Sequence, residues 1–569
     1  MATEKRKNFS CDFETTTQED DCRVWAWGSM EVGNEENYQT GTSIESFMAW
    51  CEKTNGNLYF HNLKFDGAFI VNWLLHNGFK RVAKIDGEPN TFSTMISAMG
   101  QWYAIDICYG GTKRKKRHTV IRDSLKKLPF SVKAIAQAFK LDVQKGELDY
   151  KKFRPVGHVL TEEEHAYLRN DVEIMAKALK ILFDQNMVKS TIGSDALSDF
   201  KDIFTKKKFD KMFPGLSHDM DSIFRHAYRG GFTWVNPKFQ GLALGEGTVY
   251  DVVSLYPSQM YYRPLPYGMP VYFKGKYEPD EEYNLYIAKI RCEFKLKKGH
   301  VPTIQLKKNP RYKPNEYITK SDGREVMYVT NLDWELIEKH YHVYDVEYVE
   351  GWMFKSHVGF FNDYIDKWME VKNEHSEEKG ALYNLAKLML NNLYGKFATN
   401  PDKTGKIPFL KEDGSTGFET DEENIEEPIY LPMGIFITSW ARYTTISAVQ
   451  SCYDRIIYCD TDSMHLVGLE EPTSIKVTKT ELGTWSLDEV FKRCKYLRQK
   501  TYIQVVDKKN KETGELEEKL VVKCAGMPDN IKKKVTFDNF EVGFSEEGKL
   551  MYKHVNGGVI LKETRFTIK

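Results

Sequence analysis

Carboxylates stand in this chain where an apolar strand ordinarily has none. Val249-Tyr250-Asp251-Val252-Val253 reads as a buried-type strand broken only by Asp251, and a charge inside such a run is costly unless it is paired or metal-bound. A second run, Arg455-Ile456-Ile457-Tyr458, enters Cys459-Asp460-Thr461-Asp462-Ser463 and leaves through Met464-His465-Leu466-Val467, a hairpin pattern with acids at its turn. At the other end of the chain Asn8 to Glu14 reads as a strand, and its period of two points Asp12 and Glu14 to the same side. Like charges held together raise one another's pKa or recruit a cation, and paired divalent ions about 4 Å apart are the usual partners where a phosphodiester is made or broken. Two phosphoryl-transfer sites on one polypeptide are therefore expected.

A chain of 569 residues exceeds what one hydrophobic core serves, so two or more domains are expected. The first segment, to about residue 190, alternates strand-like runs (Phe9 to Phe13, Leu58 to His61, Trp102 to Cys108) with helical stretches (Asp66 to Leu75, Thr161 to Phe183), an α/β layout. Thr161 and Glu164 form a capping box for a long helix with Tyr167 and Asp171 on one face. A second segment begins near Gly193, with interior breaks at Lys307 to Asp322 and Asn400 to Glu427, both rich in turn formers and charge.

Lys plus Arg equals Asp plus Glu at 81 each, so the net charge announces no nucleic-acid partner. Charge acts locally under physiological screening, and basic runs occur at Lys113 to Arg117, Lys206 to Lys208 and Lys532 to Lys534. For any one of them alone the plainer reading is a solvated face. Nine cysteines without C-x-x-C spacing indicate neither a zinc site nor a disulfide framework. Met1 to Lys7 leads straight into polar, strand-like sequence, and no apolar stretch approaches the roughly 20 residues of a membrane span. The expectation is a soluble intracellular protein.

Two further elements bear on Asp12 and Glu14. His61-Asn62-Leu63-Lys64-Phe65-Asp66-Gly67 offers a carboxylate at a helix start, and Tyr167-x-x-x-Asp171 offers another with a phenol one turn before it. In this order the residues resemble the three exonuclease motifs of proofreading DnaQ-like nucleases. The resemblance implies that Asp12, Glu14, Asp66 and Asp171 hold two Mg²⁺ or Mn²⁺ ions and that Tyr167 orients the attacking water. It also implies that Lys145 stabilises the phosphate, and that Thr15, His61, Asn62, Phe65, Ser124 and Leu125 grip a frayed single-stranded 3′ end.

Between the later clusters, Lys387, Asn391 and Tyr394 fall on one helical face at i, i+4 and i+7. Asp251 to Ser258, Lys387 to Gly395 and Tyr458 to Ser463 resemble, in this order, the A, B and C motifs of family B DNA polymerases, and Lys500-Thr501-Tyr502 resembles their Lys-x-Tyr primer-gripping motif. With Tyr228-Arg229-Gly230-Gly231, Asp123 to Phe130, and Met433-Gly434 through Arg442, the whole chain from near residue 8 resembles the protein-primed DNA polymerases of small Bacillus phages, the phi-twenty-nine-like group.

That resemblance implies a mixed α/β and α+β fold: an RNase H-like (DnaQ-like) 3′-5′ exonuclease domain at 1–191 and a right-hand polymerase domain at 192–569. The latter divides into palm (192–262 and 431–527), first insertion (263–361), fingers (362–398), second insertion (399–430) and thumb (528–569). Asp251 and Asp462 become the main metal carboxylates, with Val252 at the metal and Asp460 in a supporting place. Tyr256 sits beneath the sugar and excludes a 2′-hydroxyl, Tyr394 closes the pocket, and Lys372 and Lys387 hold the triphosphate. Tyr228, Gly230, Gly231, Ser254, Lys500 and Tyr502 contact DNA. One departure is Tyr383, where the family has a further lysine one turn before Lys387; Lys379 is the candidate to replace it.

Also implied are two Mg²⁺ ions per site with Mn²⁺ substituting, primer-template DNA and dNTPs as substrates, and a terminal protein as heterodimer partner. A single-stranded-DNA-binding protein, a monomeric free state, processive strand displacement and the cytoplasm of an infected bacterium complete the expectation. Two other readings stand beside it. A nuclease with a non-catalytic polymerase-like half conflicts with the intact Asp251, Lys387, Asp462, Lys500 and Tyr502. A reverse transcriptase or RNA polymerase conflicts with Tyr256, because an RNA maker needs room for the ribose hydroxyl.

Overall fold

The computed structural model describes residues 6–569 apart from 151, 307, 308, 314, 511 and 512. Expectations that fall on Met1–Lys5, and on Lys307, Lys308 and Pro314 of the lysine-rich stretch, lie outside the described residues.

The N-terminal strand Asn8–Thr15 pairs antiparallel with Val24–Glu31 and parallel with Asn57–Phe60, which in turn runs parallel to Lys116–Asp123. It thus lies inside an eight-stranded sheet. Helix Leu63–His76 begins three residues earlier than the expected Asp66, because Asn62 turns left-handed (φ 75°) and gives its N–H to the Asp123 carboxylate at 3.0 Å. Asp66 consequently sits in the first turn, where the helix dipole favours an acid. Helix Glu162–Asp184 carries the expected capping box, with Thr161 Oγ1 accepting from Glu164 N and Glu164 returning the bond to Thr161 N. Glu164 also takes Arg154 and His158. Burial opposes its charge, yet the hydrogen bonds from His158, Arg154 and Thr161 hold its pKa down at about 2.

A second sheet begins with Leu516–Cys524 and runs through Thr501–Lys509, Trp485–Arg498, Gly247–Val252, Ser463–Val467 and Ile456–Asp460 to Thr233–Val235. The strand bearing Asp251 is central, and the hairpin with the acidic turn is its neighbour. Helix Leu431–Ser451, apolar nearly all round, is buried nearly all round beside this sheet. Between the catalytic strands lie a four-stranded sheet (Leu265–Lys274, Tyr341–His357, Leu285–Leu296, Glu325–Thr330) and the hairpin Lys406–Leu410 with Thr416–Thr420.

The chain ends in a hairpin, Ser545–Val555 with Gly558–Thr567, that returns to helix Leu63–His76. Asn72 of that helix accepts from Gly557 N at 3.0 Å and donates to Gly414 O at 3.0 Å and Thr416 Oγ1 at 3.2 Å. One buried amide therefore joins three segments distant in sequence. Gly558 must lack a Cβ, which would stand 2.4 Å from the Phe69 ring.

Candidate active sites

The first site is built on that N-terminal strand. Asp12 and Glu14 meet Asp171 from helix Glu162–Asp184, with one oxygen of each within 4.8 Å of the others. Asp66 joins from the helix start: burial and the neighbouring Asp12 charge push its pKa well up. Burial and then Asp171 raise Asp12 to about 7, and burial with Asp12 and Asp171 raises Glu14. Lys145 opposes them, ion-paired with Asp171 and 5.0 Å from the Tyr167 ring. Asp171 Oδ1 is buried and, among the described residues, accepts no hydrogen bond. Converging carboxylates with a deficit of positive charge and an orphaned buried oxygen fit a divalent cation of the hard, oxygen-seeking class.

Around this centre Tyr167 hydroxyl meets Tyr150 hydroxyl at 2.6 Å. His61 Nε2 faces the Phe130 carbonyl at 2.6 Å, so it carries the proton, and Nδ1 meets Ser124 Oγ at 3.0 Å. Both ring nitrogens are thus taken inside the protein, and Ser124 itself is buried. Asn62, Phe65 and Leu125 stay more open. Asp123 Oδ1 accepts from both Asn62 N and Leu125 N at 3.0 Å, which ties the two segments together. Thr15 closes the strand one residue beyond Glu14.

The second site lies in the other sheet. Val252 N donates to Asp462 O at 2.8 Å, and the turn between the strands is held with Thr461 left-handed (φ 61°) by Asp462 N to Asp460 O at 2.7 Å. Burial, then Asp462 and Asp488, raises Asp251 to about 7 against the opposing Lys387. Asp462 is raised as well, chiefly by burial. Asp460 differs. Burial would raise it, but Lys500 Nζ (2.7 Å), Thr233 Oγ1 (2.9 Å) and Tyr458 OH (3.0 Å) donate to it, and the net shift is downward.

A cavity of about 380 Å³ opens over Asp251 and Asp462, lined further by Ser254, Tyr256, Lys372, Lys387 and Tyr394. The predicted helical face of Lys387, Asn391 and Tyr394 is the one that lines it. Tyr256 and Tyr394 stack at 4.0 Å and 19°. Lys372 has its pKa lowered by burial and by Lys387, and its nearest partner is Ser254 Oγ at 3.4 Å. Two lysines that repel each other beside one cavity, with Lys387 also facing Asp251, suit a polyanion. Tyr383 lines the cavity, and Lys379 is not among its lining residues.

Gly231 abuts the acidic turn, where a Cβ would come within 2.5 Å of Thr461 Oγ1. Arg442 donates to the carbonyls of Arg229 (2.7 Å) and Gly230 (3.1 Å) and forks onto buried Asp333, fixing the Tyr228–Gly231 segment beside that turn. Lys500 N donates to Tyr458 OH at 3.1 Å, and Tyr502 stacks on Tyr496 at 4.8 Å.

Sequence reasoning missed Asp123, Tyr150, Thr233 and Asp488 as site groups. Asp123 alone left a signal, as the first residue of the Asp123 to Phe130 block.

Two carboxylate centres, one under a cavity flanked by lysines and stacked tyrosines, define a nucleotidyl-transfer enzyme. The chain belongs to the DNA polymerases of type B, organellar and viral, whose family pattern matches residues 48–481. Within that family it falls in the phi29-like group of Bacillus phage DNA polymerases. It is 58% identical to the DNA polymerase of Bacillus phage B103 over 99% of this chain and 100% of that one, and 57% identical to that of Bacillus phage phi29 over 99% of each. Streptococcus phage Cp-1 DNA polymerase is 34% identical over 99% of this chain and 98% of its own. The solved structure of phi29 DNA polymerase complexed with primer-template DNA and incoming nucleotide superposes with a TM-score of 0.94 at 55% identity, covering 99% of this chain and 100% of that chain.

Proposed function

We propose that this DNA polymerase is replicative and protein-primed, displaces the strand ahead of it, and proofreads with a 3′-5′ exonuclease in the same chain. The observation that carries the reading is the pair of separate carboxylate centres, each with lysine and aromatic side chains beside it. In this reading residues 1–191 degrade and 192–569 synthesise, divided as palm (192–262, 431–527), first insertion (263–361), fingers (362–398), second insertion (399–430) and thumb (528–569). Asn72, which ties the second insertion and the C-terminal hairpin to the nuclease segment, supports processivity. The first insertion is the candidate contact for a terminal protein. A single-stranded-DNA-binding protein and the host bacterial cytoplasm complete the setting; among the described residues no helix is long and apolar enough to cross a membrane.

For synthesis, Lys372 and Lys387 hold the triphosphate of the dNTP. Tyr256 and Tyr394 shape the pocket around sugar and base, and Lys500 and Tyr502 hold the primer end whose 3′-hydroxyl attacks the α-phosphate while pyrophosphate leaves. Asp460, saturated by protein donors, keeps Lys500 in place. For degradation, Asn62, Phe65, Ser124 and Leu125 receive the frayed end, Tyr167 orients a water and Lys145 faces the phosphate. Asp12, Glu14, Asp66 and Asp171 in one site, and Asp251, Asp462 and the Val252 backbone in the other, would hold Mg²⁺ or Mn²⁺, which when bound supplies Lewis-acid stabilisation of developing negative charge.

A primer annealed to a longer template, incubated with Mg²⁺ and dNTPs raised from zero, tests the reading. Shortening without dNTPs that gives way to full extension is expected, and shortening at every concentration would instead favour a nuclease with a silent second half. A terminal-protein partner supplied without any primer should become linked to nucleotide; absence of that product would remove protein priming.

The Tyr256→Val variant is expected to accept ribonucleotides, with its discrimination falling by about a hundredfold or more, the scale on which a shaped pocket rejects an added hydroxyl. Incorporation assays with matched dNTP and rNTP measure this, and unchanged rejection would remove the gate role.

The raised carboxylates set a pH dependence. With Asp12 and Asp251 shifted to about 7, protonation favours the metal-free fold: that contribution is complete below the ordinary carboxylate pKa and lost as pH rises through about 7. A divalent ion needs the deprotonated groups, so its affinity grows over the same interval. The gain in Tm given by Mg²⁺ over EDTA should therefore increase between about pH 6 and about pH 8. A flat gain would contradict the assignment.

A further inference from the structure

We propose that Tyr552 of the C-terminal hairpin belongs to the single-strand grip of the first site, where its ring stacks on a base of the 3′ end beside Phe65. The inference rests on the exonuclease reading above and extends it to a residue more than half the chain away. Three contacts bring the ring there: Asn62 Nδ2 donates to the Tyr552 hydroxyl at 3.1 Å, the Phe65 ring lies 6.3 Å away at 43°, and the Lys64 ammonium stands 5.0 Å from the ring centroid. Asn62, Lys64 and Phe65 lead into the helix turn that carries Asp66. A strand whose end reaches the carboxylates passes these residues, and with them Tyr552.

The ring is held there by its own supports. Lys553 pairs with Glu19, Gly557 N donates to Asn72 at 3.0 Å, and glycines at 557 and 558 let the hairpin tip close under the Cys22 carbonyl and the Phe69 ring. Tyr552 nonetheless keeps 36% of its surface exposed. A fixed, part-exposed aromatic next to a second aromatic and a lysine is the arrangement that binds single strands of any sequence, with bases on rings and phosphate on the cation. The ligand class is therefore single-stranded DNA taken by base face and phosphate, with no reading of base edges.

The test uses the full chain carrying Asp12→Ala and Asp66→Ala, so that bound ends persist, and a primer-template whose mispaired 3′ end bears a fluorescent purine analogue. Adding Tyr552→Ala is expected to weaken binding of the mispaired end about tenfold relative to a matched end and to remove part of the stacking quench; Tyr552→Phe should restore both. Equal binding and equal quench with Tyr552→Ala would overturn the proposal. So would tighter binding, the outcome for a ring that only covers the site. In the otherwise native chain, the ratio of single-strand degradation to matched-primer extension should fall about tenfold with Tyr552→Ala. A native chain that quenches the analogue through Tyr552 yet never shortens the strand would remove the exonuclease reading and leave this one standing.

Discussion

Replacing Asp251 by Asn is expected to lower nucleotide incorporation by about 1000-fold or more, while degradation of single-stranded DNA persists. Asp251 occupies the central strand, and burial together with Asp462 and Asp488 raises its pKa to about 7 against the opposing Lys387. Asparagine keeps the shape and loses the charge that must draw a cation into the site. The same change relieves like-charge repulsion, so the metal-free Tm should hold or rise at neutral pH. Single-turnover incorporation and thermal unfolding in EDTA together read the result. Lost synthesis with a lowered Tm would assign Asp251 a structural role instead. Asp460 is the internal contrast: its oxygens already receive Lys500, Thr233 and Tyr458, so Asp460→Asn should cost stability by leaving Lys500 without its ion pair.

Periodicity and motif order made much of both centres legible. Alternation along Asn8–Thr15 put Asp12 and Glu14 together, and the 3.6-residue repeat put Lys387, Asn391 and Tyr394 on the cavity. The capping box at Thr161 fixed the start of the helix that delivers Tyr167 and Asp171. What stayed hidden is set by strand register and long-range return of the chain. Asp488 enters because Trp485–Arg498 lies beside Gly247–Val252, and that strand, mixed in charge, carries no apolar run to announce it. Thr233 reaches Asp460 across the strand pairing Thr233–Val235 with Ile456–Asp460. The helix beginning at Leu63 depends on the Asp123 carboxylate holding Asn62 in a left-handed turn. Tyr552 meets Asn62 from 490 positions away, beyond any local pattern.

The Asp12→Ala/Asp66→Ala chain is expected to lose exonuclease activity by about 1000-fold or more and to extend matched primers as before. The two carboxylates contribute charge to a centre that also holds Glu14 and Asp171, while the half-buried Lys145 is committed to Asp171. With half of the acidic groups gone, the remaining Glu14 and Asp171 face Lys145 and no longer form a divalent-cation cage. The carboxylates of the other sheet are untouched. Stability gives an independent check. Burial and then Asp171 raise Asp12 to about 7, and burial and then Asp12 raise Asp66 well above the usual carboxylate range, so as pH rises through about 7 and beyond the native metal-free fold gains charges that oppose it. Alanine removes them, and the Tm in EDTA should rise at that pH, with most of the Mg²⁺-dependent gain at this site lost. Equal loss of synthesis and degradation would mean that the two centres are one functional unit and would sink the two-site reading.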